Sequence, residues 1–159
     1  MDRIIEVFRA LLAFVGLLMV AMCRTACAAT PVDVIKPDLH ALIRAAAPSP
    51  VQFAVHVPHA VSSATSGTWS NSNGRATWRF NARIPTAVSM SFHANPVNLP
   101  VDAVLTVRGA RTTMIYRAAD FKSRDFWSRI QPGEALDLTL EVPSRERSSV
   151  VFEIVSFKA

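Results

Sequence analysis

Residues 136–142 read Leu-Asp-Leu-Thr-Leu-Glu-Val. Leu136, Leu138, Leu140 and Val142 fall on one side of an extended chain, with Asp137, Thr139 and Glu141 on the other. Side chains alternate across a strand with a period of two, so this stretch describes a strand with one buried and one wet face. Pro143 ends it, a charged turn follows (SRERSS, residues 144–149), and residues 150–157 supply a last strand.

The same period recurs upstream. Val51, Phe53, Val55 and Val57 share a face, and Pro58 is expected to stop that strand. Residues 62–75 are rich in Ser, Asn and Gly and predict a loop or a hairpin around a short strand at Trp69; Asn73-Gly74, two residues that tolerate positive φ, is the strongest turn signal in the chain. Trp78, Phe80, Ala82 and Ile84 alternate with Arg79, Asn81 and Arg83. Val88, Met90 and Phe92 alternate with Ser89, Ser91 and His93, and Asn95-Pro96 and Leu99-Pro100 punctuate a loop. Ala103, Leu105 and Val107 form another inward row, and residues 112–117 a further strand. Residues 118–133 keep no sustained rhythm. The fold class expected is all-β: an antiparallel sandwich or jelly roll of seven to eight strands over residues 51–159.

Ahead of that domain, residues 29–50 predict an extended segment and one short helix. Asp38 caps it, and Leu39, Leu42, Ile43 and Ala46 carry its apolar face up to Ala47. Residues 1–28 read as a cleavable signal peptide. Arg3 and Arg9 precede an apolar run from Ala10 to Met22, and Ala26-Cys27-Ala28 offers a small-x-small cleavage site. The run is shorter than the ~20 residues a membrane span needs. Neither cysteine suits lipidation, because Met22 precedes Cys23 and Arg24 lies three before Cys27. Cleavage would remove both cysteines and leave a secreted or periplasmic chain without disulfides or a membrane anchor.

The formal net charge of +5 falls to +4 when Arg3, Arg9, Arg24, Asp2 and Glu6 leave with the signal. The remaining arginines are scattered rather than striped with aromatics, which points away from nucleic acid. The series Arg75, Arg79, Arg83 reads as a solvated strand face.

Chemistry-bearing patterns are weak. His56 and His59 have odd spacing, which sends strand side chains to opposite faces, and no cysteine or acidic cluster lies nearby to complete a metal set. No G-x-S-x-G elbow is present and the chain has only five glycines, so a hydrolase triad lacks its context. Asp120, Asp125 and Glu134 are scattered carboxylates. No catalytic residue, metal ligand or cofactor is expected. Residues 120–127 carry the candidate partner-binding residues Asp120, Phe121, Arg124, Phe126 and Trp127, because Trp and Arg anchor interfaces. The plainer reading has the aromatics plug one end of the sandwich while Asp120 caps a turn.

A run of short motifs gives a family likeness: Gly67-Thr68-Trp69, Trp78-Arg79-Phe80, Ala87-Val88-Ser89-Met90 with Phe92, and Leu99-Pro100. Leu105-Thr106-Val107, Tyr116-Arg117-Ala118-Ala119-Asp120, Phe126-Trp127 and Pro132-Gly133-Glu134 continue it. In this order, from about Phe53 to Phe157, they resemble the N-terminal non-catalytic β domain of secreted bacterial trypsin-like endopeptidases of the lysyl-endopeptidase type. The likeness implies a domain rather than an activity, since the family's catalytic His, Asp and Ser would follow the last strand and have no counterparts here. An accessory module that binds a secreted protease or another extracellular protein is the first expectation. A pro-region of such a protease is the second, and a carbohydrate-binding module, by analogy of fold, the third.

Overall fold

The computed structural model describes residues 30–45 and 54–159. In chain order the elements are β1 (Val32–Val34), α1 (Leu39–Ala45), β2 (His56–Ser62), β3 (Thr68–Ser72), β4 (Arg75–Arg83) and β5 (Ser89–Asn98). They continue with β6 (Val104–Arg108), β7 (Thr113–Arg117), β8 (Phe126–Trp127), β9 (Gln131–Pro132), β10 (Ala135–Pro143) and β11 (Val151–Lys158). The protein is an all-β sandwich of two sheets. The first runs β1-β4-β10-β6-β7, with β3 also paired to β4; the second runs β2-β11-β5-β8, with β9 also on β5.

The stretch 136–142 occupies the middle of the first sheet, bonded to β4 on one side and β6 on the other. That position explains its clean alternation, because a central strand of a sandwich meets the core along its whole length. Leu136, Leu138 and Leu140 lie opposite Ala82, Phe80 and Trp78, and Val142 lies opposite Ala76, so large residues meet small ones at both ends. All eight are buried. Each large apolar side chain sequestered this way is worth about 1.5–3 kcal/mol. A 3₁₀ turn (Ser144–Ser149) then carries the chain across to β11, the middle strand of the second sheet.

The 73–74 turn forms as expected: β3 and β4 pair as a hairpin, with Asn73 at φ 50° and Gly74 at φ 73°. The N-terminal segment is part of the same body. β1 runs parallel to β4, the one parallel pairing in an otherwise antiparallel set among the described residues. Ile35 is buried in the core, Leu42 of α1 packs against it, and His59 Nε2 meets Asp33 Oδ2 at 2.8 Å. Asp38 caps α1 by accepting from the Ala41 amide at 2.9 Å. Residues 1–29 and 46–53, which include the signal-peptide expectation and Val51 and Phe53, lie outside the described residues.

Four expectations need correction. Eleven strands are described rather than seven or eight, because three-residue β1 and two-residue β8 and β9 are too short to show a period. Pro58 does not end β2, which continues to Ser62. β2 is an edge strand, where the missing amide of proline costs no ladder bond. Asn95-Pro96 is not loop but lies inside β5: Val97 opposes Phe152 and Ala94 opposes Ile154, so Asn95 and Pro96 stand against Glu153 alone. That bulge switches the inward row from Met90, Phe92 and Ala94 to Val97. Val88 is 88% exposed and precedes the strand, held off the core by the bend that follows Ile84.

Candidate functional site

β8 pairs with β5 through Ala94–Phe126 and His93–Trp127. The alternation of a strand therefore sends Phe126 into the sandwich and Trp127 out of it. Phe126 lies with its ring 4.5 Å from that of Phe121, 5.0 Å from Tyr116 and 6.0 Å from Phe92, an aromatic plug at one end of the core. Asp120 Oδ2 accepts from the Arg117 amide at 2.8 Å and closes the 3₁₀ turn Ala118–Asp120. The Arg124 carbonyl accepts from the Val97 amide at 2.9 Å, while its side chain, with Lys122, borders a shallow groove along Asn98 and Leu99. The five candidate residues thus divide. Phe121 and Phe126 hold the core together, Asp120 shapes the turn, and Arg124 and Trp127 face outward.

Trp127 is 46% exposed but is not loose. Its ring stacks on the His93 imidazole, centroids 4.0 Å apart and planes within 6°. His93 Nε2 donates to the Asp125 carboxylate. The Lys158 ammonium lies 4.4 Å from the Trp127 centroid, a cation–π contact. Lys158 stands on β11 and Trp127 on β8, with β5 between them, so the lysine stem crosses β5 to make it. The backbone below is pinned as well. Ser128 and Phe92 exchange two hydrogen bonds at 2.9 and 3.0 Å, and the Arg129 amide donates to the Tyr116 hydroxyl at 2.8 Å. Ile130, 67% exposed, extends the patch along the chain. Neither His93 nor Lys158 is among the candidate residues of the sequence. His93 did show as an outward residue, but nothing local to 93 or 158 announces a shared neighbour at 127.

The scattered carboxylates are engaged separately. Asp120 serves its turn, Asp125 serves His93, and Glu134 accepts from Arg83 Nε at 3.0 Å and Nη2 at 2.5 Å. The Arg83 hydrogen bonds, followed by one from the Thr86 amide, hold the Glu134 carboxyl below its ordinary value. An acid depressed in the folded state adds stability above its unfolded-state value, and that stability is lost as pH falls through the folded one. Glu134→Gln should therefore lower Tm slightly at neutral pH and leave it unchanged in acid, where the parent carboxyl is protonated too. Melting curves of both proteins across pH check this; a Tm gap that persists in acid would point to packing instead.

His56 is exposed and His59 turns to Asp33, so the two histidines face apart. Among the described residues no three His, Cys, Asp or Glu side chains converge as a metal would require. The chain matches no protein-family model, no curated protein and no solved structure. Its site must be read from its own geometry.

Proposed function

We propose that this chain is an exported, non-catalytic β-sandwich that binds a protein partner through the Trp127 face, and that a co-secreted trypsin-like protease is the partner class to try first. The observation behind this reading is the half-exposed Trp127, held between neighbouring strands by His93 and Lys158. Tryptophan is a residue type that dominates binding energy at interfaces. One already immobilised loses little further freedom when a partner closes over it. Lys158 and Asp125 flank it with opposite charges, which suits orientation of a polar rim around an apolar centre. The export part of the proposal rests on the signal-like residues 1–28, and the protease on the family resemblance.

The test is a binding titration of the secreted protein against the trypsin-like protease of the same culture medium, with inhibition followed in parallel. Trp127→Ala should weaken binding by about 30-fold or more, the effect of losing an anchor worth about 2 kcal/mol. Its Tm should stay close to the parent's, since the side chain lies outside the core. Undiminished binding by a folded Trp127→Ala protein would remove this face from the proposal. Failure of the parent to bind the protease would remove the partner.

A further inference from the structure

At the β3 edge of the first sheet, Trp69 of β3 and the 3₁₀ turn Ser144–Ser149 border an open cleft of about 470 Å³. This is within the size range of small-molecule sites. Trp69 forms its floor. It is half-buried against the core, opposite Trp78, and its indole N–H donates to the Ser63 carbonyl at 2.7 Å, so the ring cannot turn. The Arg147 guanidinium stands 5.0 Å above the ring centroid. Among the described residues no carboxylate pairs with it; the adjacent Glu146 bonds to Arg145 at 3.2 Å. The rest of the lining is Ser63, Ser144 and Ser148 with the apolar Ala64 and Val150.

We propose that this cleft binds an acidic saccharide, with the Arg147 fork taking the carboxylate of a uronic acid ring. A guanidinium held over an indole is positioned by the cation–π contact and still keeps its N–H donors for an oxyanion, which it engages two at a time. Serine hydroxyls both donate and accept, as the hydroxyls of a sugar require. Ala64, Val150 and the edge of Trp69 meet the C–H faces of the ring. An acidic peptide would satisfy the same arginine, and the comparison with triglutamate below separates the two. The inference is independent of the Trp127 face, because the two sites share no residue.

The experiment is a calorimetric titration of the full chain with tri-galacturonate, with the neutral galactose trisaccharide and triglutamate as comparators. Tri-galacturonate should bind at least 10-fold more tightly than either. Arg147→Gln should abolish that preference without shifting Tm, since Arg147 is exposed. Arg147→Lys should recover only part of it, because the charge returns without the fork. Trp127→Ala should leave it intact. Equal binding of triglutamate would overturn the saccharide assignment, and equal binding of the neutral sugar would overturn the role of the carboxylate. No binding of tri-galacturonate, or binding indifferent to Arg147→Gln, would overturn the site.

Discussion

Trp78→Ala should destabilise the protein by about 3–5 kcal/mol, the range for truncating a fully buried large aromatic. The Trp78 side chain is completely enclosed. It stacks on Phe80 with centroids 5.8 Å apart and meets Phe152 of the other sheet edge-on at 5.9 Å, so it bridges the two layers. Its indole N–H donates to the Ser66 carbonyl at 2.7 Å, which ties the loop between β2 and β3 to the core. Alanine would open a cavity between the sheets and leave that carbonyl without its donor. Domains of this size have total stabilities of about 5–15 kcal/mol, so the variant would be close to unfolding at 37 °C. Urea unfolding followed by circular dichroism measures the loss, with Trp78→Phe as comparator. Phenylalanine keeps most of the volume and loses the hydrogen bond, and should fall between the two. A loss below about 1.5 kcal/mol for Trp78→Ala would mean that the sheets collapse onto the gap rather than hold a rigid cavity.

Gly67→Ala should be the most damaging single-methyl change in the described chain. Gly67 has φ +74°, and a Cβ there would sit 2.5 Å from the Arg79 carbonyl oxygen and 2.6 Å from Trp78 Nε1. Neither neighbour can yield: one is backbone of a paired strand, the other the enclosed indole just described. Gly74 supplies the control, since it has nearly the same φ, +73°, with open space around its Cβ position. Gly74→Ala should cost only the left-handed backbone term of about 1–2 kcal/mol. Gly67→Ala should cost that and a further ~1–3 kcal/mol for overpacking. Equal losses in the two variants, measured by the same urea curves, would show that the indole moves aside.

These two positions also show how far the sequence could be read. The Asn73-Gly74 turn was legible because its signal is local: two adjacent residues that accept positive φ between two strands. Gly67 falls in the Ser-, Asn- and Gly-rich stretch 62–75, whose composition marks a loop but not the constraint at 67. Its constraint comes from Trp78 and Arg79, which lie across the hairpin, and only the register of β3 on β4 brings them together. Val97 belongs to the same class. Its inward direction follows from the bulge at Asn95-Pro96, and an Asn-Pro pair in a strand reads locally as a break.

By itself the sequence determined the class of fold and the buried rows of β4, β6 and β10. An extended chain alternates its side chains whatever lies beside it, so a period of two is written residue by residue. It also determined the cap at Asp38 and the hairpin at 73–74, which depend on neighbours a few residues away. The tertiary structure alone decided which strands are neighbours, and with that every feature proposed to function. His93, Trp127 and Lys158 meet because β11, β5 and β8 lie side by side, and Arg147 reaches Trp69 because the 144–149 turn crosses from one sheet to the other at the β3 edge. Strand order and register are set by how two whole faces fit against each other, a property of all the strands together that no single stretch of chain contains.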